Sequence, residues 1–212
     1  MALSNGADES ALDRTYSDSR PIDVLIAKEM LREAKQIMDQ LGVVFFLRQG
    51  TCLGAVRDNE FIPWDDDVDL GSVIGLNGLN ERSIDLVVAA FRDNGFFVKV
   101  EGNDHYINAA MAKSSIRMDW ACYRIIDENI FHYPGIRLPI HLFTQLKEIE
   151  FIGEKFLVPN PPEEYLRIKY GPSWMTPKKL EWVKDVVQMI PDGSVPGRAG
   201  KLRQLFTSHI LR

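Results

Sequence analysis

Residues 65–70 read Asp-Asp-Asp-Val-Asp-Leu, so four carboxylates fall within five consecutive positions at the edge of an apolar stretch. Two carboxylates about 6 Å apart repel each other by roughly 3 kcal/mol at an effective dielectric near 20. A fold that contains this run must compensate the charge with solvent, with basic side chains or with a metal ion. The run therefore limits the chain to folds that hold these aspartates at the edge or on one face of a structural element.

The alternation within the run predicts a strand with two different faces. In an extended chain successive side chains point to opposite sides, so Asp67 and Asp69 share one face while Val68 and Leu70 share the other. Hard divalent cations prefer oxygen ligands, and Mg²⁺ (or Mn²⁺) is often held by one or two carboxylates together with substrate phosphates. Asp65 joins the acidic face if the strand begins there. The alternative for an acidic run is a solvated turn, but the alternation with apolar residues favours a metal site.

A third metal ligand is predicted on another strand. Residues 116–123, IRMDWACY, form an apolar, strand-like run in which an unpaired Asp119 would be costly to bury. Arg117 and Asp119 share a face of that strand, with Met118 on the other face. We expect Asp119 to complete the site of Asp67 and Asp69.

Gly50 and Thr51 supply the second part of the predicted site. They follow the apolar run 43–48 and precede a segment, residues 51–57, that can form a short helix. A strand that ends at a glycine and leads into a helix presents backbone N–H groups to an anion, and glycine permits close approach of a phosphate. Together with the Asp-Val-Asp strand, this turn predicts a site for a nucleoside phosphate and a metal.

The remaining pattern predicts an α+β (mixed α/β) fold, with helices flanking a core sheet. Helices are expected at 21–42, with Asp23 as N-cap and Gly42 after the end, and at 79–95. Further helices are expected at 161–171, 178–190 and 200–211. Strands are expected at 43–48, 67–70, 96–101, 105–113 and 116–125, followed by a hairpin over 138–159 that turns at Gly153-Glu154. Residues 1–20 are expected to be a disordered tail.

Composition excludes several functional classes. The net charge of −5 argues against a general nucleic-acid-binding protein. Cys52 and Cys122 are too few for a disulfide framework, and they favour two thiols in a reducing compartment. The four histidines show no metal-ligand spacing. No signal segment and no transmembrane stretch is recognised, so a cytoplasmic location without a membrane span is expected.

Two blocks of the sequence resemble a known family. GTCLGAVRDNEFIPWDDDVDLG (50–71) and VPNPPEEYLRIKYGPSWMTP (158–177) are similar to the signatures of the LicD/fukutin family of the nucleotidyltransferase superfamily. The resemblance implies a catalytic domain with a nucleotidyltransferase-like core sheet at residues 21–190, followed by a tail or short helix at 191–212. Cys52 and the pair at 59–60 depart from the family's usual residues.

What the resemblance implies about function is a transferase that moves a phospho-alcohol, such as phosphocholine or phosphoribitol, from a CDP-linked donor to a hydroxyl of a glycan or related acceptor. By position, Asp67, Asp69 and Asp119 match the catalytic, metal-binding carboxylates, and Gly50 and Thr51 match the phosphate-binding turn. The substrate-binding motif also includes Arg57, Trp64 and Asp65.

Two other functions fit the same residues. A nucleotidyltransferase that uses an NTP donor would need identical carboxylate chemistry. A noncatalytic homologue that binds metal or glycan could use the acidic loop alone. The choice of donor, CDP-alcohol or NTP, distinguishes phospho-alcohol transfer from nucleotidyl transfer. Nucleotide binding distinguishes both enzymes from a noncatalytic homologue.

Overall fold

The computed structural model describes residues 9–18, 20–132 and 135–178. Within them the elements follow in chain order: α1 (Glu9–Asp18), α2 (Val24–Gln40), β1 (Phe46–Leu47), α3 (Gln49–Arg57), β2 (Asp67–Val73), α4 (Glu81–Asp93), β3 (Phe97–Gly102), β4 (Tyr106–Lys113), β5 (Ile116–Tyr123), β6 (Asn129–His132), β7 (Ile136–Pro139), α5 (His141–Thr144), β8 (Lys147–Phe151), β9 (Glu154–Val158) and α6 (Pro162–Tyr170).

A five-stranded mixed sheet in the order β1-β2-β5-β4-β3 forms the centre of the fold. Strands β2 and β5 run parallel, while β1 pairs with β2, β4 with β5 and β3 with β4 in antiparallel fashion. Two separate hairpins, β6–β7 and β8–β9, follow the sheet. The mixed sheet with flanking helices confirms the predicted α+β class.

Strands β2 and β5 show why the acidic run sits where it does. Their apolar faces carry Leu70 and Trp120, which are 0% exposed and belong to the main hydrophobic core. The same core includes Leu31 of α2 and Phe91 of α4, which is also 0% exposed. Burial of this face holds both strands in register, so the residues that alternate with it must face the opposite side.

Helices α2 and α4 begin at the capping residues that the sequence predicts. Asp23 caps α2 by accepting hydrogen bonds from the backbone N–H groups of Leu25 and Ile26, and Gly42 follows that helix with φ +66°. Asn80 caps α4 by accepting from the N–H of Ser83. Local side-chain chemistry is sufficient to predict these boundaries.

Not every apolar residue of α2 is buried. Its buried residues are Ala27, Met30, Leu31, Ala34, Ile37 and Met38. Leu25 is 74% exposed because it lies two positions before Ala27, which is a rotation of roughly 200° around the helix. An apolar residue near the end of a helix is therefore not evidence of burial by itself.

Residues 9–18 correct the expectation of a disordered tail, because they form helix α1. Leu12 is 1% exposed and packs with Ala110 and Ala112 of β4 and with Phe97 of β3. One buried leucine in a polar segment produces no helical periodicity, which explains why the sequence pattern did not indicate the helix. The helices expected at 178–190 and 200–211, and the boundary at 190, lie outside the described residues.

Smaller differences concern the edges of the fold. Strand β1 has only two paired residues within the apolar run 43–48, and hairpin β6–β7 was not predicted. Helix α5 lies in the first part of the segment predicted as a hairpin, whose first strand, β8, begins only at Lys147. Gly153 turns the β8–β9 hairpin with φ +79°, as expected.

Cys52 and Cys122 are free and buried. No helix among residues 9–18, 20–132 and 135–178 is long and apolar enough to cross a membrane.

Candidate functional site

Carboxylates from the two parallel strands meet on one wall of a cavity of about 290 Å³. The register places Asp69 directly beside Asp119 and Asp67 beside Arg117, and neighbouring strands lie about 4.8 Å apart. Asp67, Asp69 and Asp119 all line the cavity. The three residues predicted as the catalytic and metal-binding set thus line one cavity, whereas the acidic oxygens that lie within 4.8 Å of one another are those of Asp65, Asp66 and Asp67.

Asp69 is held by a buried arginine. Arg48, which is 5% exposed, places Nη2 2.8 Å from Asp69 Oδ1 and donates from Nε to the backbone carbonyl of Leu70. Gln49 Nε2 donates to the same carboxylate oxygen at 3.2 Å. Burial raises the pKa of Asp69 well above its usual range, and Arg48 opposes the rise while Asp67 adds to it.

Asp67 and Asp119 share a second arginine. Arg117 approaches Asp67 Oδ2 with Nη2 at 2.5 Å and Asp119 Oδ2 with Nε at 3.2 Å. Its Nη2 also lies 3.6 Å from Asp66 Oδ2. The carboxylate oxygens of the predicted triad are therefore directed at two arginines, Arg48 and Arg117, as well as at the cavity.

Asp119 has two further partners. Asn108 on β4 donates from Nδ2 to Asp119 Oδ1 at 2.9 Å, and the hydroxyl of Tyr16 on α1 donates to the same oxygen at 3.4 Å. Burial raises the pKa of Asp119, and the charge of Asp67 raises it further. These contacts fix the orientation of a carboxylate that binds protons more readily than an exposed one.

The chemistry of the acidic residues fits a hard divalent cation. Asp65, Asp66 and Asp67 each offer an oxygen within 4.8 Å of the others, and Oδ2 of Asp65 is buried without a hydrogen-bond partner among the described residues. Burial, together with Asp67 and Asp66, raises the pKa of Asp65 to about 8. An oxygen-only donor set with excess buried negative charge is the environment that such a cation stabilises.

Gly50 and Thr51 connect the first turn of α3 to the acidic strand. Thr51 is fully buried, and its Oγ1 accepts a hydrogen bond of 2.9 Å from the backbone N–H of Asp69. A Cβ on Gly50 would lie 2.2 Å from Asp65 Oδ2, so the close approach of that carboxylate requires glycine. The Thr51 hydroxyl has a structural partner, and phosphate binding by this turn stays a prediction.

Arg57 and Trp64 lie away from the cavity. Arg57, at the end of α3, pairs with its neighbour Asp58, with 2.6 Å between Nη2 and Oδ2. Trp64 is half-buried and packs against the main core. Neither residue lines the cavity, and their predicted substrate contacts stay predictions.

Sequence reasoning did not identify several residues of the cavity wall. They are Tyr16, Arg48, Gln49, Glu101, Gly102, Asn103, Tyr106, Asn108, Ala121, Tyr123 and His132. Arg48 carried one usable signal, because a cation that directly follows an apolar strand requires a counterion. Gln49 has φ +46°, a strained conformation that its sequence position does not reveal.

A buried polar chain lies behind Arg48. His132 is 2% exposed, with Nε2 3.4 Å from Arg48 Nη1 and Nδ1 2.9 Å from Lys169 Nζ. Burial, together with the charge of Arg48, lowers the pKa of Lys169 to about 7. His132 thus links Arg48 to Lys169 within this buried chain.

A mixed sheet that aligns carboxylates of adjacent parallel strands beside a strand–Gly–Thr turn defines an α+β protein with several acidic oxygen donors on the wall of one cavity. The family is shown by the match of residues 42–161 to the model of the LicD/FKTN/FKRP nucleotidyltransferase domain. The chain belongs to this family.

Curated relatives agree with this assignment. The chain is 29% identical to ribitol-5-phosphate transferase FKTN of Homo sapiens over 205 residues, which is 88% of this chain and 42% of FKTN. The FKTN of Mus musculus is also 29% identical, over 85% of this chain and 41% of its own length. Ribitol 5-phosphate transferase FKRP of Homo sapiens is 29% identical over 68% of this chain and 31% of FKRP. The chain thus spans less than half the length of these relatives.

Proposed function

We propose that this protein is a metal-dependent transferase that moves a phospho-alcohol from a CDP-linked donor to a hydroxyl of a glycan or related acceptor. The observation that carries the proposal is the alignment of Asp67, Asp69 and Asp119 on the wall of one cavity. Membership of the LicD/FKTN/FKRP family supports it, because relatives in that family are named ribitol-phosphate transferases.

Asp67, Asp69 and Asp119 would hold Mg²⁺ or Mn²⁺, with Asp65 as a further oxygen donor beside them. When bound, the cation would neutralise charge on the donor's pyrophosphate. Arg48 keeps Asp69 in place through the ion pair described above. The carboxylates then need no rearrangement of β2 to face the cavity.

Asp119 is the best-placed group to accept a proton from the acceptor hydroxyl. Asn108 and Tyr16 both donate to its Oδ1, which fixes the plane of the carboxylate. A raised pKa brings a carboxylate closer to the operating pH of a general base. Burial and the nearby Asp67 thus favour proton transfer at this residue.

The donor would bind beside the carboxylates, along the part of the cavity lining that the β3–β4 turn and the adjoining strand ends provide. Asn103 and Tyr106 belong to this part of the lining, as does Tyr123 at the end of β5. Ligand pockets commonly enclose roughly 300–1,000 Å³, so a cavity of about 290 Å³ accommodates part of a CDP-alcohol. The polar groups of this part of the lining suit a nucleotide or alcohol moiety.

Incubation with CDP-ribitol, CDP-choline and CDP-glycerol in the presence of Mg²⁺ tests the proposal. We expect release of CMP from at least one donor and loss of that release in Asp67→Asn. Pyrophosphate release from an NTP, without CMP release, would instead establish nucleotidyl transfer. Metal binding without any nucleotide binding would identify a noncatalytic homologue.

A further inference from the structure

Arg117 occupies the space between the carboxylates of the two parallel strands. Its guanidinium contacts Asp67, Asp119 and the more distant Asp66, and the residue is 6% exposed. The oxygens it contacts, Oδ2 of Asp67 and Oδ2 of Asp119, belong to two carboxylates that a cation in this site would use. A carboxylate oxygen directed at a guanidinium has less electron density available for a metal, and two positive charges in contact repel each other.

The two arginines of the site are held differently. Arg48 donates from Nε to the backbone carbonyl of Leu70 within the sheet, so it is attached to the fold independently of Asp69. The contacts of Arg117 run instead to the acidic side chains and to helix α1. The position of the Arg117 guanidinium therefore depends in part on helix α1, whereas that of Arg48 does not.

Helix α1 holds the outer side of Arg117. The Tyr16 ring lies 4.2 Å from the guanidinium carbon, and Arg117 Nη1 donates to the backbone carbonyl of Thr15 at 3.4 Å. A cation over an aromatic face is attracted by the ring quadrupole. The docked helix thus stabilises the arrangement in which Arg117 contacts Asp67 and Asp119.

We propose that Arg117 is a resident counterion that competes with the divalent cation for Asp67 and Asp119, and that docking of α1 strengthens this competition through Tyr16. The inference rests on the metal requirement of the proposed function and not on the identity of the donor. By linkage, cation binding must weaken the docking of α1 to the same extent that α1 weakens cation binding.

Isothermal titration of the full chain with Mn²⁺, in the absence of nucleotide and after removal of metal by EDTA, tests the proposal. Arg117→Gln is expected to bind Mn²⁺ roughly 10-fold more tightly than the wild type, because one opposing charge in contact with the ligands is lost. Tyr16→Ala leaves the charge unchanged and is expected to bind about threefold more tightly. Tyr16→Phe keeps the ring over Arg117 and should show a smaller gain than Tyr16→Ala.

Arg124→Gln is the matched control. Arg124 follows β5 and pairs with the exposed Glu81, so this variant removes the same charge outside the site and should leave the affinity unchanged. Tyr16 is 49% exposed, and its variants keep the test decisive if Arg117→Gln does not fold.

Equal or weaker Mn²⁺ binding in both Arg117→Gln and Tyr16→Ala would overturn the inference and leave the proposed function standing. Absence of Mn²⁺ binding in every protein, the wild type included, would overturn the metal requirement and the inference together. Tighter Mn²⁺ binding by Arg117→Gln without tighter binding by Tyr16→Ala would show that α1 does not contribute to the competition.

Discussion

Asp67 and Asp69 are two positions apart and share a strand face, yet their surroundings differ. Asp69 is 5% exposed and has three structural partners, the side chains of Arg48 and Gln49 and, through its backbone N–H, Thr51. The Asp67 side chain is 15% exposed and pairs with Arg117, which retains Asp119 as a second partner. The same substitution should therefore have different structural consequences at the two positions.

Asp69→Asn is expected to lower the free energy of unfolding by about 2 kcal/mol, because the cost of leaving the buried Arg48 without its carboxylate is partly offset by removal of a charge that burial disfavours. Asp67→Asn should cost about 1 kcal/mol or less, since Arg117 keeps Asp119. Both variants should lose transfer activity under the proposed function. Urea denaturation followed by the CMP-release assay separates the two effects, and equal destabilisation would contradict this account of Arg48.

At the scale of elements, α1 is a helix that the sequence pattern did not predict, and it adds Tyr16 to the site. Leu12 anchors it to Ala110, Ala112 and Phe97, in a cluster separate from the main core. A helix held by one small apolar cluster and by a few contacts to Arg117 and Asp119 should open locally without unfolding the sheet. The stability of α1 docking can therefore be measured independently of the rest of the fold.

Leu12→Ala is expected to weaken α1 docking by about 2–3 kcal/mol, the usual cost of truncating a buried leucine. Hydrogen exchange across residues 9–18 should accelerate while protection of β5 is retained. Leu25→Ala is the control, because Leu25 is 74% exposed on α2. Similar exchange rates for residues 9–18 in both variants would show that Leu12 does not anchor the helix.

Helix α6 carries Lys169 into the buried chain behind Arg48, and this predicts a pH dependence. The pKa of Lys169 falls from 10.5 to about 7 on folding, chiefly because of burial. Between these values the unfolded chain binds more protons than the folded one, so stability rises with pH across that window. Below about pH 7 the lysine is protonated in both states and the full penalty applies.

The difference in unfolding free energy between the wild type and Lys169→Met should therefore rise by up to about 1.4 kcal/mol per pH unit between about pH 7 and 10. Denaturant unfolding at several pH values provides the measurement. Lys155→Met, at an exposed position on β9 that pairs with Glu148, is the control. A flat difference for Lys169→Met would mean that the lysine is protonated throughout the window in the folded protein.

At the scale of the whole molecule, the fold buries several carboxyl groups on and next to the two parallel strands β2 and β5. Asp65, Asp69 and Asp119 all have a pKa raised chiefly by burial and further by neighbouring carboxylates. A ligand that binds only the folded state raises its stability by mass action. Under the proposed function, a divalent cation should therefore raise the free energy of unfolding even when no donor is present.

Mn²⁺ at about 100 times its dissociation constant should add roughly 2.7 kcal/mol of stability and raise the melting temperature by several degrees. Asp67→Asn should show a much smaller shift, and EDTA should reverse the effect in the wild type. Thermal unfolding monitored by circular dichroism gives the result. An equal shift in Asp67→Asn would place cation binding elsewhere in the chain.

Much of the fold could be predicted because its signals are local. Asp23 and Asn80 cap helices, Gly153 turns a hairpin, and the alternation from Asp67 to Leu70 indicates a strand. The helix at 9–18 could not be predicted, because a single buried leucine depends on a partner surface almost 100 residues away in the chain. Leu25 shows the converse case, because an apolar residue remains exposed when its angle on the helix turns it away from the core.

The same distinction applies to the site. By itself the sequence determined that Asp67, Asp69 and Asp119 lie on the polar faces of their strands, because alternation is a property of each extended segment. Only the tertiary structure decided that Arg48 pairs with Asp69, that Arg117 lies between Asp67 and Asp119, and that Tyr16 covers Arg117. The parallel register of β2 with β5 and the docking of α1 create these contacts. Both depend on burial of apolar surface between segments distant in the chain, which no local pattern encodes.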